Sequence, residues 1–80
     1  MRDDAYILKK METTEKILKT LNDFGMMPSS KICAIAGVNY DYFKKASEEL
    51  LKKKLISKKE ETLATYWEIT EKGKREVKKQ

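Results

Sequence analysis

Eighty residues allow one small domain with a modest core. Eighteen Lys and Arg against 13 Asp and Glu give a net charge of +5. The absence of His and the single Cys, Cys33, exclude an internal disulfide, a His/Cys zinc site and any Ser-His-Asp or Cys-His nucleophile.

The charge is unevenly placed. Residues 1–43 carry six basic and six acidic side chains, whereas residues 44–80 carry twelve basic and seven acidic ones. The whole surplus lies in the C-terminal half, which points to a polyanionic partner met by one part of the fold. No apolar run approaches the roughly 18–20 residues that span a bilayer, so no membrane partner is expected. Met1-Arg2-Asp3-Asp4 lacks the basic-then-apolar layout of a signal peptide. With one unpaired Cys the expectation is a reduced, intracellular and cytoplasmic protein. Nothing resembles an assembled acid-base, nucleophilic or metal site, so no enzyme activity and no cofactor are expected.

Punctuation comes from Pro28, Gly25, Gly37 and Gly73. Between residues 3 and 24, Ile7, Met11, Thr14, Leu18 and Leu21 recur at steps of 4, 3, 4 and 3, which keeps one helical face. Ile17 and Phe24 widen that stripe. Asp3 and Asp4 suit the positive end of a helix dipole, and Gly25 supplies a stop. The expectation is one helix of about 33 Å. The alternative is two pieces joined near Thr13 and Thr14, either of which can cap a second helix.

Met26-Met27-Pro28 is expected to be extended, because a residue before Pro is pushed toward β. Ser29 or Ser30 then caps a short helix over residues 31–36, which Gly37 ends. Val38 or Asn39 begins the next turn, and residues 40–53 form a helix. Its inner face carries Phe43, Ala46 or Ser47, and Leu50. The period then changes to two. Residues 55–59 and 65–70 read as strands rich in β-branched and aromatic side chains, joined as a hairpin through residues 60–64. Trp67 and Ile69 share one face, Tyr66 and Glu68 the other. Thr70 caps a last helix over residues 71–79.

Residues 29–53 fit a helix-turn-helix. Two helices that cross steeply need a tight turn, and Gly37 accepts positive φ there. Cys33 and Ala36 are small where the helices approach. The second helix buries Val38, Phe43 and Ala46, leaving an outward face that can enter a DNA major groove. The hairpin that follows stands beside it, with Lys58 and Lys59 near its start.

Four strings in this order resemble the small archaeal winged helix-turn-helix transcription-regulator domains. They are Ser30-Lys31-Ile32, Gly37-Val38-Asn39-Tyr40, the run from Glu48-Glu49-Leu50-Leu51 through Lys52-Lys53-Lys54-Leu55-Ile56, and Tyr66-Trp67-Glu68-Ile69-Thr70-Glu71-Lys72-Gly73. The resemblance covers roughly residues 14–78. It implies an α+β fold: a long N-terminal helix, the helix-turn-helix at 29–53, a two-stranded wing at 55–70 and a short C-terminal helix at 71–79. Residues 1–80 would form one such domain. Two positions depart from the pattern. Lys54 stands where a Gly usually precedes the Leu-Ile pair, and in αL geometry it would cost roughly 1 kcal/mol. Ser47 occupies a commonly apolar position.

The function implied is binding of double-stranded DNA by a small transcriptional regulator. The helix at 40–53 would enter the major groove and the wing would grip the flanking backbone. Candidate contacts are Asn39, Tyr40, Tyr42, Lys44, Lys45, Lys58 and Lys59. Each has a plainer reading. Asn39 can simply cap its helix, the tyrosines can pack inward and the lysines can be solvated. Glu60-Glu61 repel phosphate, so the helix is expected to dominate over the wing tip. Cys33 and Trp67 are expected in the core, and Glu48-Glu49 on the surface for solubility. The apolar Tyr6, Ile7 and Met11 can pack on the chain's own C-terminal helix or join a homodimer through the N-terminal helix. Two other functions fit the same fold, a protein-interaction adaptor and a non-specific chromatin-type DNA binder.

Overall fold

A computed structural model describes residues 12–78. The order is α1 (Thr13–Phe24), β1 (Met27–Pro28), α2 (Ser29–Ala36), α3 (Tyr40–Lys52), β2 (Ile56–Glu60), β3 (Thr65–Ile69) and α4 (Glu71–Lys78). The strands form one antiparallel sheet in the order β1-β3-β2. This is the winged helix-turn-helix architecture, with β1 as a third, very short strand beside the hairpin.

The core lies where the helices meet the inner face of β3. Ile17 and Leu21 of α1, Ile32 of α2, Phe43 and Leu50 of α3 and Trp67 of β3 are buried together. Trp67 and Phe43 pack in a T-shaped pair, with ring centroids 5.4 Å apart at 87°. Its indole Nε1–H donates to Ser29 Oγ at 2.7 Å, so the polar end of the ring is satisfied. Cys33 packs against this cluster as a small half-buried residue, and burial pushes its thiol pKa up.

The helix starts differ from the sequence expectation. A single helix over 3–24 does not form, because Glu12 is extended at φ −71°, ψ 155° and serves as the N-cap of α1. The Glu12 N–H donates to the Glu15 carboxylate at 3.0 Å, which favours a start here. The cap is thus Glu12, not Thr13 or Thr14. Asp3, Asp4, Tyr6, Ile7 and Met11 lie outside the described residues. Phe24, placed on the apolar stripe by its spacing, is 65% exposed. The stripe continues to the last residue of α1, but the layer beneath it does not reach that far.

Helix α2 starts at Ser29, two residues early, with extended Pro28 as its N-cap residue. Neither Ser29 nor Ser30 makes the cap, and the Ser29 hydroxyl accepts from Trp67 instead. Strand β2 is shifted one residue from 55–59, because Leu55 is bound into the turn after α3. There Lys54 N–H donates to Leu51 O at 3.0 Å, and Leu55 N–H donates to Leu50 O at 3.0 Å. These two bonds make a Schellman motif, with Leu50 and Leu55 both buried as its apolar pair. Lys54 holds its left-handed position at φ 62°, the geometry in which the missing Gly matters.

Thr70 locks this turn. Its Oγ1 donates to Lys54 O at 2.8 Å and accepts from Gly73 N–H at 3.1 Å. Its own N–H donates to Leu55 O at 3.0 Å. One side chain therefore caps α4 and holds the strained turn. Gly73 is buried against the same peptide, and a Cβ there would collide with the Leu55 carbonyl and Ile69 Cγ1. The Thr-Glu-Lys-Gly string thus has a mechanical meaning, a cap followed by a close backbone approach. No helix among the described residues is long and apolar enough to cross a membrane.

Two stability changes of opposite sign follow from this turn. Lys54→Gly removes the left-handed penalty and should stabilise the domain by about 1 kcal/mol, raising Tm by about 4–8 °C. An unchanged or lower Tm would contradict the strain assigned to Lys54. Gly73→Ala, which helix propensity alone would favour, should instead destabilise by about 1–3 kcal/mol through overpacking. Urea midpoints of parent and variant measure it, and an increased midpoint would exclude the close approach.

Candidate nucleic-acid interface

The two helices of the motif are joined by Gly37-Val38-Asn39, fixed at both ends. Gly37 is left-handed at φ 70°, ψ 38°. Its N–H and that of Val38 both donate to Cys33 O, at 2.9 and 3.1 Å, and close α2. Asn39 Oδ1 then accepts from Asp41 N–H at 2.8 Å and opens α3. Asn39 is therefore the helix cap. Asn39 is exposed, and an amide that accepts through Oδ1 keeps its NH₂ donors.

Helix α3 buries Phe43, Ala46, Ser47 and Leu50. Ser47, polar where an apolar residue is common, is accommodated because its Oγ donates to Lys44 O at 3.0 Å. The opposite face carries Asp41, Lys44, Lys45, Glu48 and Lys52, all exposed. Tyr40 and Tyr42 are 57% and 63% exposed. Tyr40 also stacks on Phe43, with centroids 6.2 Å apart at 27°, so its ring is anchored while its edge is free.

Successive residues of a helix are about 100° apart, and this separates Lys44 from Lys45. Lys44 lies on the flank toward the sheet. With Tyr40, Glu48, Ser29, Lys58 and Thr65 it lines a cleft of about 210 Å³ between α3 and the wing. Lys45 lies on the other flank with Tyr42 and Glu49, facing Glu12 and Thr13 of α1 across a wider groove.

The wing separates its two lysines by the same logic with period two. Lys58 is opposite Trp67 in the register and Lys59 is opposite Tyr66. Lys58 Nζ sits 5.8 Å from the Trp67 ring centroid and 3.3 Å from Glu60 Oε2. Trp67 and Glu60 thus hold this ammonium at the mouth of the cleft. Lys59 faces the other side, in a shallow depression with Met26, Glu61, Leu63 and Tyr66. Leu63 at the wing tip is 96% exposed.

The structure therefore brings together Tyr40, Lys44 and Lys58. It places Tyr42 and Lys45 on the second flank of the same helix, Asn39 at its start, and Lys59 on the far face of the wing. Sequence reasoning did not place Ser29 and Glu48 in the cleft. Ser29 carries no local signal for this, since its partner Trp67 is 38 residues away. Glu48 does, because it lies one helical turn after Lys44. Among the described residues, no three His, Cys, Asp or Glu side chains gather as a metal site would require.

Neither a family model nor a curated protein matches this sequence. Solved structures do match. A cysteine-to-serine variant of Lactococcus lactis ZitR is 26% identical with a TM-score of 0.75, over 84% of this chain and 47% of that one. The same variant in complex with DNA is 24% identical with a TM-score of 0.72, over 85% of this chain and 49% of that one. The adhesin competence repressor AdcR from Streptococcus pyogenes is 21% identical with a TM-score of 0.75, over 95% of this chain and 62% of that one. A further structure of ZitR describes it as a zinc-responsive MarR family member. The present chain spans less than two thirds of each of these proteins, and it shares with them the winged helix-turn-helix fold.

Proposed function

We propose that this domain binds double-stranded DNA as a small transcriptional regulator, with α3 in the major groove and the β2–β3 wing on the flanking backbone. One observation carries the reading. The exposed face of α3 stands beside the wing, and Lys44 and Lys58 converge on the cleft between them. A helix seated in a groove meets the phosphate walls of both strands. Lys44 and Lys45, on separate flanks, suit opposite walls. Tyr42 and the Asn39 amide add neutral donors beside them, and Lys59 reaches backbone from the outer side of the wing. These contacts give affinity and register rather than sequence preference.

The DNA complex of a protein with this fold supports the same reading. A homodimer through the N-terminal segment that holds Tyr6, Ile7 and Met11 would place two copies of α3 on a two-fold site. The archaeal placement rests on the four sequence strings alone, since the similar structures named above are from bacteria. A DNA partner implies an intracellular, cytoplasmic location.

Fluorescence anisotropy with a labelled duplex across a salt series tests this. Affinity should fall steeply with salt, and K44A/K45A should weaken binding and reduce the log-log salt slope by about 1.8 if both lysines neutralise phosphates. A double variant that behaves like the parent would remove α3 from the interface. A parent without affinity at low salt would favour the adaptor function.

The Lys58–Glu60 pair gives a second test. On binding, Lys58 must exchange Glu60 for a phosphate, and Glu60 itself repels the backbone. Glu60→Ala should therefore tighten binding at low salt by about two- to five-fold. Weaker binding would mean that Glu60 positions Lys58 rather than competing for it.

A further inference from the structure

Helix α3 carries three basic and three acidic side chains, Lys44, Lys45 and Lys52 against Asp41, Glu48 and Glu49. A net-neutral helix is an unexpected reader of a polyanion, so each acid needs a reason. Asp41 is in the first turn, where the helix dipole favours a negative charge. Glu49 is 3.1 Å from Lys53 Nζ in an i,i+4 ion pair. Glu48 has neither reason. It lies mid-helix on the outward face, and no described side chain makes an ion pair or hydrogen bond with its carboxylate, although Lys44 and Lys52 are each four residues away. It lines the cleft with Lys44 and Lys58, where the proposed duplex would sit.

A carboxylate in a major groove is an acceptor with nothing to donate. Guanine presents two acceptors at that edge and thymine one, and both repel it. Adenine presents a donor beside the N7 acceptor. Cytosine alone presents its N4 amine without an acceptor on the same base edge. We propose that Glu48 is a specificity residue that accepts from the N4 amine of a cytosine in the major groove and penalises the other three bases at that position. The assignment rests on the DNA-binding reading above. In it the lysines supply attraction to any duplex, and Glu48 subtracts that attraction wherever its carboxylate is buried unpaired.

Selection of bound duplexes from a random pool at low salt, run with the full chain and with E48A and E48Q, tests this. The parent should enrich cytosine at one position of each half-site. Matched duplexes that differ only there should bind it with affinities about 5- to 150-fold apart. E48A should lose that preference and bind the disfavoured duplexes more tightly than the parent does. E48Q should move the preference to adenine, whose N6 and N7 an amide can satisfy together. Retention of the cytosine preference by E48A overturns the assignment. A parent that retains DNA with no base preference overturns it while leaving the DNA-binding reading intact. A parent that retains no DNA overturns both.

Discussion

The indole of Trp67 is where the wing, the helix-turn-helix and the core meet. Its ring meets Phe43 of α3 in a T-shaped contact, its Nε1–H is accepted by Ser29 at the start of α2, and the Lys58 ammonium lies over the ring. In the register it lies between Met27 of β1 and Lys58 of β2. The angle between α3 and the wing therefore depends on one side chain of the central strand. The width of the cleft, and the distance between the lysines on its two walls, depend on it as well. A smaller residue at this position would empty the core and leave the wing without a fixed seat on α3.

The second constraint is the turn from α3 into the wing. A helix can be followed closely by a strand only if its last carbonyls are satisfied within the turn, and the Schellman bonds at Lys54 and Leu55 do this. Lys accepts the left-handed geometry at some cost, and Thr70 offsets that cost by holding the Lys54 carbonyl. Thr70 also caps α4, while Gly73 brings that helix onto the Leu55 peptide. The end of α3, the start of the wing and the start of α4 thus share one set of backbone contacts.

Charge acts more selectively than its total suggests. The net charge is +5, yet α3 itself is neutral. Lys53 and Lys58 are paired with Glu49 and Glu60, and Lys74 with Glu71. Such exposed pairs contribute little stability and are easily exchanged. The lysines that matter to the proposed interface are set by which faces they occupy. Lys44 and Lys58 share a cleft, whereas Lys45 and Lys59, each the next residue in the chain, point elsewhere.

Much of this was legible in the sequence where the cause is local. The order of helices and strands follows from the change of period after Lys53. The stops at Gly25 and Gly37, the caps of Asn39 and Thr70, and the left-handed demand at Lys54 depend on residues within a few positions of each other. The alternation of Lys58 and Lys59 follows from the pleat. The start of α1 at Glu12 and the shift of β2 also have local causes, in the Glu12–Glu15 contact and the Leu50–Leu55 turn, whereas two other differences depended on distant neighbours. Ser29 is the first residue of α2 rather than its cap, and its hydroxyl accepts from Trp67, 38 residues away. Phe24 is not buried, because spacing states which side of a helix is apolar but not how far the opposing layer extends. Only the tertiary structure decided that Lys44 and Glu48, rather than Lys45, face the wing, because that depends on how α3 is rotated on Phe43 and Trp67. A sequence determines faces by its period. It does not by itself determine what each face meets.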